Sequence, residues 1–459
     1  MATSLQAFRI GLFEEHLDEA SFLYSQCRNL RAAIQTSWQT TAGFEQRLEL
    51  HLDALVVGGE LALQVCRRRA VEGDAGELFA AASVFCRHRL APLLAQTLAD
   101  TLARLDPEQP ETLIALGDAL KYELPEDWAA FVEQALRRPD ARLVPPLATA
   151  CGYRRIPCED ALCEALGKAR EQAPLALVEA LGRLQSIQAE PALDHLLTLP
   201  DDTRRAAALI ALMRSGREAP LRRLYLTAQR ESWPRLALGL GGDASAAHAL
   251  MKATPSTLPA DSLSLLALGL LGSPTGLRHL HEKLSDPALA EVAARALNWV
   301  TGANLFEGVF VAEAIDEDTL FPREIKAWRQ YKQAPKAANG QPFGSTQRKL
   351  STDPVRWRAW FSEHTDRFDA RLRYRSGQPC SPTVLVATLA HPDGDPLLRQ
   401  TTAQELAIRY GCHLPFEVDM PVVHQIKALR GLSAWANSHA TSFQPGAWYF
   451  AGCPQTSSG

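Results

Sequence analysis

Four residues near the C-terminal end have the types and spacing that could do chemistry: His413, Glu417, Asp419 and His424. A loop histidine beside two carboxylates, with a second histidine on the helix that follows, could move a proton or hold a divalent metal. The spacing matches no ligand set with a name, and Asp419 has a structural use as N-cap of a helix carrying Val422, Ile426, Leu429, Leu432 and Trp435. A second group mixes aromatic and cationic side chains. Trp357, Trp360, Phe361, His364 and Phe368 recur at helical spacing, with Arg356, Arg358, Arg367, Arg371, Arg373 and Arg375 nearby. Exposed and rimmed by arginine, such a stripe would stack bases or sugars; packed, it would cap the end of a helical array. Trp357, Trp360, Arg371, Arg373 and Tyr374 are the residues expected to meet a protein partner.

The remaining candidates read as structural. Arg67, Arg68 and Arg69 end a helix, where cations complement the dipole. Glu14, Glu15, Asp18 and Glu19 crowd what reads as the first turns of another, where negative charge is favoured. His195, His248, His279 and His281 have no partner at metal-binding spacing. The nine cysteines contain no C-x-x-C pair and mostly occupy apolar helical positions, as reduced core thiols do. There is no phosphate-binding glycine loop, no H-E-x-x-H and no G-x-S-x-G. No catalytic residue, cofactor or metal site is therefore expected.

Composition narrows the class. The chain has 459 residues, 46% hydrophobic and 22% charged, with a net charge of −4. These values belong to a folded, soluble protein. The acidic balance gives no overall pull toward nucleic acid or an anionic membrane. No secretory signal and no apolar run of about 18 residues is found, so the expected location is the cytoplasm.

The elements that must position these groups follow a repeat. Ala180-Leu181-Gly182 recurs as Ala115-Leu116-Gly117, Ala150-Cys151-Gly152, Ala237-Leu238-Gly239 and Ala267-Leu268-Gly269, with weaker copies at Leu212-Met213 and Leu297-Asn298. The period is roughly 30 residues, and two apolar helical patterns surround each copy. Ala165-Leu166-Gly167 falls midway between two copies, as a partner helix would. Small residues let helix pairs approach closely, and each pair needs the next to bury its apolar face. The predicted fold is all-α: a HEAT-like α-solenoid of stacked antiparallel helix pairs. An irregularity is expected at Gly239-Leu240-Gly241-Gly242.

The predicted divisions are an N-terminal helical cap (1–89), the repeats (90–303), a linker or insertion (304–350) and a C-terminal helical domain (351–459). In the cap, Phe13 to Trp38 build one stripe, and Gly58-Gly59 permits a close crossing or a kink. The acidic run 313–318 and the stretch 334–342 read as loop or partly disordered linker. Downstream, Asp353 and Ser381 read as N-caps, each followed by proline, and Gly411 as the stop of a helix over 397–410.

Several segments, in order and over nearly the full chain, resemble a family of bacterial proteins with degenerate HEAT repeats encoded beside type VI secretion genes. The residues that carry the resemblance are Glu19-Ala20-Ser21-Phe22-Leu23-Tyr24, Arg47-Leu48 with His51-Leu52-Asp53-Ala54-Leu55, and Gly76-Glu77-Leu78-Phe79-Ala80-Ala81-Ala82. The Ala-Leu-Gly figure, Trp357-x-x-Trp360 through Arg373-Tyr374-Arg375-x-Gly377-x-Pro379, Arg399-Gln400-x-x-Ala403-x-Glu405-Leu406, and Pro415-Phe416-Glu417-Val418-Asp419-Met420-Pro421 complete the set. The resemblance implies a non-catalytic accessory protein, an adaptor or chaperone for a secreted effector or spike-tip protein. An immunity protein that occludes a toxin is the alternative among binding proteins, and a HEAT-like nucleic-acid enzyme is the alternative outside them. The family supplies no catalytic residues to carry over.

Overall fold

The computed structural model describes residues 5–32, 37–104, 110–138, 141–313, 317, 320–331, 336 and 343–455. The apolar stripe near the start folds as α1 (Leu5–Ala32), which buries Leu17, Ala20, Leu23, Tyr24 and Cys27. It packs against α2 (Ala42–Val57), α3 (Gly59–Glu72) and α4 (Ala75–Arg87). Gly58, between α2 and α3, lies against the Phe13 ring so closely that a Cβ there would come within 2.5 Å of it. Because α1 begins at Leu5, the acidic residues 14–19 are not in its first turn, and the dipole reading is corrected. Glu14, Asp18 and Glu19 face arginines instead: Arg68 pairs with Glu14, Arg69 with Asp18 at 2.6 Å and with Glu77, and Arg47 with Glu19 at 3.7 Å.

The chain is mostly helical, and its helices pack pairwise. After α4 come α5 (Ala91–Arg104), α6 (Glu111–Glu123), α7 (Ala129–Leu136), α8 (Val144–Arg154), α9 (Glu159–Ala169), α10 (Leu175–Leu184), α11 (Glu190–Leu196) and α12 (Asp202–Arg214). The series continues with α13 (Ala219–Arg223), α14 (Tyr225–Arg230), α15 (Arg235–Gly241), α16 (Ala246–Met251), α17 (Leu258–Leu271), α18 (Leu277–Glu282) and α19 (Ala290–Thr301). The recurrent figure lies on α6, α8, α10, α12, α15, α17 and α19, and its purpose is visible at their contacts. A Cβ on Gly152 would come within 2.7 Å of Ala180 Cα, one on Gly182 within 2.8 Å of Ala211 Cα, and one on Gly269 within 2.9 Å of Ala296 Cα. At these three contacts the glycine of one copy receives the alanine of the next, and the helices pack side by side.

The irregularity expected at Gly239–Gly242 lies between α12 and α15, which touch far less than other neighbours in the row. Met213 stands where other copies have glycine. Its side chain, with Ile408 and Phe450, closes around Gly241. The apolar core divides at the same place, one cluster running from Leu17 to Leu212 and another starting at Leu209.

Among the described residues, three short antiparallel strand pairs depart from an all-α reading. The first, β1 (Phe306–Ala312) with β2 (Gly344–Leu350), forms a ribbon at the ends of the expected linker. Between its strands lies α20 (Pro322–Tyr331), none of whose residues is buried. The expected loop over 334–342 falls, apart from Lys336, outside the described residues, as does most of the acidic run. Then follow α21 (Pro354–His364), β3 (Tyr374–Arg375), β4 (Gln378–Pro379), α22 (Pro382–Ala390), α23 (Pro396–Tyr410), α24 (Val422–Ser438), β5 (Tyr449–Phe450) and β6 (Cys453–Pro454). The Ser381 hydroxyl caps α22, and α23 stops at Gly411 in the left-handed conformation, as expected. No described helix is long and apolar enough to cross a membrane.

Candidate functional site along the helix C-terminal ends

Each helix of the row ends with carbonyls that have no partner within the helix, and with the negative end of its dipole. The chain supplies donors to this line of carbonyls. Within the row, Arg154 donates to Tyr122 O at 2.9 Å, and Arg214 donates to Gly182 O at 3.2 Å. Further along, the donors come from beyond residue 370. Arg375 donates to Gly269 O at 3.0 Å and Leu270 O at 2.8 Å, and Arg373 to Leu270 O and Leu271 O at 3.2 Å each. Arg409 donates to Gly239 O at 3.3 Å and Gly242 O at 3.1 Å. Backbone groups add to this: Tyr374 N–H donates to Gly272 O at 2.7 Å, and Ser376 and Gly377 N–H donate to Trp299 O and Val300 O at 2.8 Å. Gly272 has φ +72°, and a Cβ there would come within 2.4 Å of Tyr374 O, so both the turn and the contact demand glycine.

The three arginines meet on one carboxylate. Glu405 pairs with Arg373, accepts from Arg375 at 2.9 Å and lies 3.6 Å from Arg409 Nε, and all four side chains have no exposed surface. Burial opposes the charge on Glu405, but the arginines outweigh it and hold its carboxyl below the usual range. Burial and the charge of Arg373 push Arg409 down to about 9. Trp448, also buried, has the Arg373 and Arg409 guanidiniums 5.9 and 5.8 Å from its ring.

Toward the other end of the row, a non-helical segment over 412–421, with a turn closed by Met420 N–H on Glu417 O at 3.2 Å, crosses the ends of α10, α8 and α6. Glu417 accepts from Arg183 at 3.0 Å and Arg155 at 3.4 Å. Asp419 pairs with Lys121 at 2.6 Å, and its carbonyl accepts from Tyr122 Oη at 2.9 Å. Asp419 does not cap α24, which corrects the sequence expectation. The Val422 N–H is taken instead by Glu45 Oε2 of α2, at 2.6 Å, and Glu45 is held by Arg31 at 2.7 Å. Trp38 Nε1 donates to His391 O at 3.1 Å, and Arg399 lies over the Trp38 ring. The region after 351 therefore follows the row from α19 back to α2. The line of helix ends is covered here by the chain's own polypeptide.

The predicted site residues scatter accordingly. Trp357, Arg373 and Tyr374 are buried and cannot present a surface to a partner, a correction with a simple cause: their donors belong to the helix ends and to Ser351 O, which accepts from Trp357 Nε1 at 2.7 Å. Trp360 is half-buried and stacks on His364 with ring centroids 4.3 Å apart. Arg371 is exposed and pairs with Asp369 at 2.7 Å. No open stacking platform is assembled. Of the acid–base candidates, Glu417 and Asp419 are engaged by different cations, and His424 is exposed on α24. His413 is half-buried, and burial together with Arg214 and Arg155 pushes it down to about 4. Among the described residues, no group of three or more His, Cys, Asp or Glu is placed to hold a metal ion.

Sequence reasoning missed the roles of Glu405, Arg409 and Glu45. The available signal was an i, i+4 acid–base pair on a helix face otherwise apolar, Leu406, Ile408 and Tyr410 being its neighbours. What this arrangement does chemically is hold polypeptide: cations at helix ends grip carbonyls and the carboxylates of Glu417 and Asp419. Compared with known families and curated proteins, this chain matches no family model and no curated sequence.

Proposed function

We propose that this chain is a non-catalytic protein-binding scaffold, built as a HEAT-like α-solenoid of stacked antiparallel helix pairs. The meeting of glycine and alanine at a period of roughly 30 residues supports the stacked construction. One observation carries the binding role: Lys121, Arg155 and Arg183, at three successive helix ends, grip Asp419 and Glu417 of a non-helical segment laid across them. A scaffold of this kind binds extended or partly folded polypeptide over a long surface. With that line of helix ends occupied, a client is taken by the outer helices and the projecting ribbon.

The chain's role in this reading, which the resemblance described above supports, is that of a cytoplasmic adaptor or chaperone of a bacterial type VI secretion system that holds an effector or a spike-tip protein. Deletion of the gene in the native host tests this. The strain should survive, and it should fail to export an effector that co-purifies with the full-length chain. Normal export of every effector overturns the reading. Poisoning of the deletion strain replaces it with an immunity protein for a cognate toxin.

A further inference from the structure

We infer that β1 is a self-pairing edge, through which two copies of the chain join into one four-stranded antiparallel sheet centred on Val309. The register of the ribbon runs from Phe306 opposite Leu350 to Ala312 opposite Gly344. Flanking bonds from Glu313 N–H to Phe343 O and from Ser351 N–H to Leu305 O put the odd-numbered residues of β1 in hydrogen-bonded pairs with β2. In an antiparallel ribbon the alternate residues then turn their backbone groups outward. The N–H and C=O of Gly308 and Phe310 therefore point away from β2, and among the described residues β1 has no second strand beside it.

Arg356 guards the Phe306 end of this edge, donating to Phe306 O at 3.2 Å, but from Gly308 onward the edge lacks the usual protections. It carries no lysine, no proline and no bulge, and its apolar side chains stay in water, Val309 being 36% and Phe310 50% exposed. The outer strand β2 is guarded by Arg348 and Lys349. A ribbon of two strands is marginal in water by itself, and further strands complete it.

The second copy fits because the strand is complementary to itself. A twofold axis through Val309 lies at the middle of β1. It sets Gly308 opposite Phe310 of the other copy, even residue with even, so the outward N–H and C=O of both find partners; at the strand end the Phe306 groups are already engaged, its N–H with Asn304 O at 2.8 Å and its C=O with Arg356 at 3.2 Å. Glu307 falls opposite Val311, and the two copies of Glu307 are about 14 Å apart along the strands, so no like charges meet. Val309 faces its own copy in a non-bonded pair, where Cα atoms lie about 4.5 Å apart.

That spacing is within the range a disulfide spans. The test is Val309→Cys in a Cys453→Ser background, which removes the exposed native thiol, oxidised with glutathione disulfide. A covalent dimer should form readily, whereas Ser345→Cys on β2 in the same background should stay monomeric. Sedimentation of the unmodified chain should show a concentration-dependent dimer. Phe310→Pro should abolish it while leaving the ribbon intact, because that N–H faces outward. A chain that stays monomeric throughout overturns the inference. So does a dimer that survives Phe310→Pro, crosslinking at 309 no faster than at 345, or a monomer that loses a different bound protein on Phe310→Pro.

Discussion

Glu405 is one carboxylate among three guanidiniums, and all four side chains are fully buried. Removing one member of a buried ionic group strands the others, at a cost of about 3–5 kcal/mol. Glu405→Gln should lower unfolding stability in urea by that amount, and a loss under about 0.5 kcal/mol would show the arginines to be satisfied by carbonyls alone. His413 makes a prediction with a sign. Its folded form resists the proton, with a pKa pushed from 6.5 to about 4 by burial and by Arg214 and Arg155. The unfolded chain accepts that proton below the ordinary histidine value, so stability falls as pH drops from about 6.5 to about 4 and then levels off. His413→Gln should remove a slope worth on the order of 2–3 kcal/mol across this window, measured by urea unfolding at several pH values. An unchanged slope would place the acid sensitivity in other groups.

Among the helices, two glycines of the same figure stand in opposite situations. Gly182 meets Ala211 of the next helix with no room for a methyl group, whereas Gly167 on α9 has open space around it. Gly182→Ala forces the helices apart and should cost about 1–3 kcal/mol. Gly167→Ala relieves only the entropy and propensity penalty of a helical glycine and should add about 0.5–1 kcal/mol. Thermal melts of the two variants, side by side, check both. Equal effects would mean that the repeat of small residues reflects composition and not contact. The N-terminal end of α24 belongs to the same scale, since its cap is Glu45, more than 370 residues earlier in the chain.

For the molecule as a whole, the region after 351 completes the row and is not an appendage to it. Truncation after residue 303 removes Arg373, Arg375, Arg409 and the backbone donors at 374, 376 and 377. Eight helix-end carbonyls then lose these partners, at roughly 1–3 kcal/mol for each that stays buried. The truncated chain should be insoluble or melt without cooperativity. Replacing 307–349 with a short Gly-Ser linker touches none of these bonds and should shift the melting temperature by less than about 3 °C. Circular dichroism melts of both chains decide the matter, and a cooperative melt of the truncated chain would make the C-terminal region a separate unit.

Local physics was legible in the residues alone. The alternation of Ala, Leu and Gly announced close helix contacts, Ser381 and Gly411 announced where helices start and stop, and the short copy near Leu238 announced the break in the row. Each of these depends on a few neighbouring residues, because backbone torsions and helical periodicity act within one or two turns. The partners of charged groups were not legible. Arg373 reads as a surface cation from its own neighbourhood, and only the approach of α17, about a hundred residues earlier, turns it into a buried donor. Asp419 reads as a cap until Lys121 and Glu45 arrive. Pattern settles which residues leave water, but charge is settled by whatever the fold brings within hydrogen-bond reach. That proximity exists only once the distant segments have packed.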